Sequence, residues 1–123
     1  MILKPGMKVL VAHRRLYETD HSRYFTGVVD AYDQGVARIS GHTWMHDGYR
    51  GSFKRKPDVR TKIVPLISGS VIVYQLESSV NLDALEVVVE GVTLVMRDNE
   101  GFSMDLTEGV LQDGRGGPSR KVC

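Results

Sequence analysis

The chain has 123 residues, a single cysteine and a formal net charge of +1, with 41% hydrophobic and 25% charged residues. That length suits one domain, and the composition is that of a folded globular chain rather than a disordered one or a disulfide scaffold. No apolar run approaches the roughly 20 residues that cross a bilayer, and the short apolar start lacks a signal-peptide core, so the expectation is a cytoplasmic protein with no membrane partner.

Two-residue alternation dominates from the start. Residues 7–12 (MKVLVA) read as a strand after Pro5-Gly6. Residues 24–31 (YFTGVVDA) and 35–40 (GVARIS) flank a turn in which Gly35 can supply positive φ. Residues 59–66 and 69–76 are β-branched runs parted near Ser68-Gly69. Two more runs, 84–90 and 92–97, surround a tight turn at Glu90-Gly91, and residues 98–101 (DNEG) turn the chain into 101–106. This predicts about eight short strands, at spacings typical of a barrel or sandwich. Helical signal is thin. Asn81 can cap one turn that holds Leu82 and Leu85, but β-branched residues follow at once, so at most a short 3₁₀ or single α turn is expected. Residues 1–111 form the expected single β domain. Residues 112–123, with three glycines, a proline and three cations, are expected to be a mobile basic tail.

Pro5-Gly6, an apolar strand, a charged loop and then FTGVVDAYDQGVARI (25–39) resemble the opening of SH3-like small barrels. The resemblance spans residues 5–40 and lies in the rhythm of residue types. It implies an all-β fold, an SH3-like or related small β-barrel, and brings no functional residue with it. The second half is longer than a minimal barrel needs, so it either extends the barrel or forms a second sheet packed on it.

Charge is unevenly spread along the chain. Residues 1–62 hold twelve Lys/Arg against six Asp/Glu and all four histidines, while residues 63–123 hold four against nine. Either the first half faces an anionic partner, or oppositely charged surfaces self-associate, or strands from both halves alternate in space and cancel the difference.

Residues 41–56 (GHTWMHDGYRGSFKRK) contain the sole tryptophan, two histidines and four cations. If residues 35–46 run as one strand, Ala37, Ile39, Gly41, Thr43 and Met45 share one face. Arg38, Ser40, His42, Trp44 and His46 then share the other. The second row would suit a stacked base or an anionic group. A bulge at Gly41 would instead turn Trp44 into the core, the commoner place for a sole tryptophan. Residues 12–24 interleave Arg14, Arg15 and Arg23 with Tyr17 and Tyr24. Residues 49–56 repeat the mixture with Tyr49, Arg50, Phe53, Lys54, Arg55 and Lys56. Cations for phosphates and rings for bases are what single-stranded nucleic acid requires. The plainer alternative is rings that anchor loops and cations that stay solvated.

No metal site is expected. His42 and His46 would lie roughly 13 Å apart along a strand, and cysteine ligands are missing. No nucleophile elbow, phosphate loop or dinucleotide fingerprint is present, and Asp20, His21 and Ser22 are sequence neighbours that point apart. The expectation is therefore a binding module without catalytic activity or cofactor. Its partner would be a nucleic acid or an acidic protein surface, met by Arg14, Arg15, Arg23, Tyr24, Arg38, His42, Trp44, His46, Tyr49, Arg50, Lys54, Arg55 and Lys56. The alternative is a homo-oligomeric structural or adaptor protein, in which the apolar hairpin of residues 85–97 meets a second layer or a second subunit.

Overall fold

The computed structural model describes residues 2–13, 23–47 and 52–106. The tail and the connections that carry Arg14, Arg15, Tyr49 and Arg50 lie outside them. The described chain is all-β, apart from one 3₁₀ turn. In order, it comprises β1 (Lys8–His13), β2 (Arg23–Asp33), β3 (Val36–Asp47), β4 (Ser52–Arg55), β5 (Arg60–Pro65) and β6 (Val71–Leu76), then the turn (Leu82–Ala84), β7 (Glu86–Glu90), β8 (Thr93–Arg97) and β9 (Ser103–Asp105). No helix among the described residues is long and apolar enough to cross a membrane.

The strands form two antiparallel sheets, neither closed on itself. The larger has the order β4-β3-β2-β1-β6, with β5 also on β3, and the smaller has the order β7-β8-β9. Strand β3 serves two partners along one edge: Val36–Gly41 pair with β5 and Trp44–Asp47 with β4. Residues 52–55, expected to be loop, are thus strand. The β2–β3 turn has positive φ at both Gln34 and Gly35, the geometry a two-residue hairpin needs to match strand twist. The register slips once, between Val29 and Ala31, not at Gly41 as the sequence allowed. At Gly41 the ladder runs straight through, with Gly27 directly opposite. A Cβ on Gly41 would overlap the Thr26 carbonyl oxygen and sit 2.5 Å from Gly27 Cα, while one on Gly27 would overlap the Ser40 carbonyl oxygen. The pair of glycines exists because two backbones meet there.

The alternation expected for β3 holds, and both of its faces are covered over part of their length. On one face Val9, Val11, Phe25, Val29, Ala37, Ile39 and Val64 form a core, joined by Val71 and Val73 of β6. On the other, Leu10, Tyr24, Trp44, Phe53 and Leu76 pack against Val80, Leu85, Met96 and Leu106, so the smaller sheet lies over this face. One face of the apolar hairpin of residues 85–97, through Leu85, Val87, Leu94 and Met96, thus packs within the same chain, and Val88 and Val95 belong to the other face. Polar ties reinforce the join. Lys8 Nζ donates to the carbonyls of Ser78 (2.7 Å) and Val80 (2.5 Å), Arg55 Nη1 to that of Leu82 (2.9 Å) and the Tyr24 hydroxyl to that of Leu106 (3.3 Å).

The 3₁₀ turn begins where the sequence placed it. The Asn81 side chain accepts from the Asp83 amide at 3.1 Å, which caps the turn. Asp98 holds this segment to the β8–β9 connection. Its carboxylate is 1% exposed and accepts from the amides of Asn81, Glu100 and Phe102 at 2.8–3.0 Å.

Candidate functional site

A group of the larger sheet's cations gathers at one end and on one face. His13, the last residue of β1, is the ladder partner of Arg23, the first residue of β2. Phe25, two residues on, points to the same face as Arg23. The Lys62 ammonium lies over the Phe25 ring, 4.6 Å from its centre. Lys62 faces Ile39 across the β3–β5 ladder and Arg60 faces Gly41, so the two cations stand on this same face, one pleat apart. Lys56 enters just after β4, where its amide donates to the Thr43 carbonyl at 2.8 Å.

Five positive or protonatable groups, His13, Arg23, Lys56, Arg60 and Lys62, therefore share one corner. Among the described residues, the only ion pair in the group joins Arg60 to Asp58 at 3.5 Å, with both side chains more than half exposed. Such a pair neutralises little. The crowding shows in the protonation equilibria. Partial burial, then Arg60, Arg23 and Lys56, push the Lys62 ammonium below its ordinary value. Burial, then Lys62 and Arg23, likewise hold His13 below the usual imidazole value. An anion placed here would relieve like-charge repulsion as well as gain direct attraction.

The residues expected to form the site divide three ways. Arg23 belongs to this corner and is exposed; Lys56 is half-buried within it. Lys54 is exposed on β4 opposite Met45, on the same face, and Met45 is itself 52% exposed. Tyr24 and Trp44 are 6% and 2% exposed, and the indole N–H donates to Thr26 Oγ1 at 2.9 Å. They are core side chains and present no ring to a ligand. The expected open row of Arg38, His42, Trp44 and His46 is interrupted because the smaller sheet covers the Trp44 end. His42 Nδ1 lies 3.0 Å from the Lys56 carbonyl, the His46 ring packs edge-on against Phe53, and Arg55 is committed to Leu82. Arg38 remains exposed on this second face, away from the other cations. Among the described residues, no three His, Cys, Asp or Glu side chains come together as a metal site.

Sequence reasoning passed over His13, Arg60 and Lys62. Arg60 and Lys62 carried a usable signal: two cations two apart in a strand must share a face. What the sequence lacked was the pairing of β5 with β3, which sets that face beside Arg23. The connections holding Arg14, Arg15 and Arg50 start from His13 and Asp47, and the β2–β3 register places both strand ends at this same end of the sheet. No protein-family model, curated protein or solved structure matches the chain, so the site is defined by its own geometry.

Proposed function

We propose that the protein is a binding module for an anionic polymer, with the sugar–phosphate backbone of a single-stranded nucleic acid as the ligand. The observation that carries this reading is the corner of His13, Arg23, Lys56, Arg60 and Lys62, which has so little carboxylate compensation among the described residues. Arg60 and Lys62 repeat at roughly 6–7 Å, the two-residue period of a strand, which suits a ligand with regularly repeated charge. Tyr24, Phe25, Trp44 and Phe53 are buried, so none of these four rings is a stacking platform that would read bases. Recognition is then by charge. The strand order β6-β1-β2-β3-β5 supports reading this part as an open SH3-like barrel whose mouth carries the cations.

The test is binding of labelled dT and dA oligonucleotides over a salt series. Affinity should be similar for the two sequences and fall linearly with salt on logarithmic axes. The double variant Arg23→Ala/Lys62→Ala should weaken binding about tenfold or more at low salt and shallow the salt slope by roughly two phosphate contacts. No binding at low salt would refute the reading. Binding of a poly-glutamate peptide in preference to both oligonucleotides would move it to an acidic protein surface.

A further inference from the structure

Resting on the binding reading above, we infer that His13 is a proton-linked element of this corner: a phosphodiester held between Arg23 and Lys62 is bound together with a proton taken up by His13.

His13 ends β1 and is half-buried on the face that Arg23 and Lys62 share. Its neighbour in the β1–β2 ladder is Arg23, and its neighbour in the β1–β6 ladder is Val71, which carries no charge. Lys62 approaches from β5, anchored by its position over Phe25, itself two residues from Arg23. Among the described residues, the charged groups that face the imidazole from the elements packed around it are thus both cations. In the free protein partial burial, and after it the two cations, disfavour a further positive charge, so the neutral ring is favoured over the imidazolium. A phosphate oxygen between the two cations reverses the sign of the local field. The imidazolium then becomes the favoured form and a further hydrogen-bond donor to the anion.

Linkage gives the sign. The bound state holds His13 protonated to a higher pH than the free state, so affinity rises as pH falls between the bound and free pKa values. A phosphodiester has no group of its own that titrates in that range, so the proton is the protein's. Two further histidines, His42 and His46, lie on the opposite face of β3.

The experiment is calorimetric titration of a dT oligonucleotide at low salt, in buffers of different ionisation enthalpy, at pH 6.5 to 7.5. The parent protein should take up a substantial fraction of one proton per strand bound, and its affinity should rise several-fold from pH 7.5 to pH 6. His13→Gln should still bind, with the uptake abolished and affinity nearly flat over that range. An independent readout is the NMR titration of the His13 ring in the parent, which should show a low free value that moves upward on saturation with the oligonucleotide. Uptake that persists in His13→Gln, or a ring titration unmoved by ligand, overturns the inference and leaves the binding reading intact. Absence of any binding at low salt overturns both.

Discussion

Asp98 shows at the scale of one residue how this chain closes its second layer. Most of its environment is protein, yet it remains an anion because three backbone amides converge on it. Those hydrogen bonds stabilise the carboxylate and hold its pKa below the ordinary value of 3.8. Below that value the unfolded chain takes up a proton at this residue before the native protein does. The stability contributed by Asp98 is therefore complete above about pH 4 and is lost as pH falls through the lower native value. Asp98→Asn, which presents one acceptor oxygen in place of two, should lower the melting temperature at pH 7. Between pH 4 and pH 2 it should lose stability less steeply than the parent. Thermal melts across that range decide the matter, and parallel acid profiles would remove Asp98 from this role.

At the scale of an element, β3 positions almost everything. It pairs with β2 from Val36 to Trp44 and with β5 and β4 in turn on its other edge, so it sets the place of Lys62, Arg60 and Trp44 together. The two glycines make this strand workable where backbones crowd. Gly41→Val would drive a side chain into the Thr26 carbonyl and the Gly27 backbone, which cannot yield as a flexible side chain would. The expected cost is at least about 2–3 kcal/mol, at the upper end of overpacking effects, measured by urea unfolding. Gly69, by contrast, has open space around its absent Cβ. Its positive φ of 79° makes Gly69→Ala costly only through backbone strain, about 1 kcal/mol. Equal losses in the two variants would refute the close-approach account.

For the whole molecule, the charge asymmetry of the sequence proves spatial. The strands β1 to β5, with their excess of cations, and the uncharged β6 build the larger sheet; residues 77–106, with seven Asp/Glu against Arg97 alone, build the smaller sheet and its connections. Within the smaller sheet Arg97 is shared by Glu86 and Glu90 at 3.1 and 3.5 Å, and Asn99 also donates to Glu86. Those bonds, the one from Asn99 foremost, lower the Glu86 pKa. The two sheets share the core around Trp44, and Lys8, Arg55 and Tyr24 bond across the join. They should accordingly unfold as one unit. Urea unfolding followed by Trp44 fluorescence, which reports the join, and by far-UV circular dichroism, which reports both sheets, should give coincident transitions. Trp44 emission should be blue-shifted and resist an aqueous quencher until that transition. An early fluorescence change would show that the smaller sheet detaches by itself.

Period-two alternation, β-branched runs and the Gly-bearing turns at 34–35 and 90–91 were enough to determine an all-β chain and the single Asn81-capped turn, because these are local properties of the backbone and its nearest side chains; the parity of β3 past Gly41 was left open until the β2–β3 register showed no bulge there. Tertiary structure decided what parity could not: which face is covered. The row of Arg38, His42, Trp44 and His46 reads as an open surface until the smaller sheet, formed by residues more than thirty positions away, is laid over the Trp44 end. The same limit hid the basic corner. Lys62 and Arg23 are 39 positions apart in sequence, and only the β5–β3–β2 pairing brings them together, since like charges at such separation leave no local pattern and meet only when strand hydrogen bonds and core burial outweigh their repulsion.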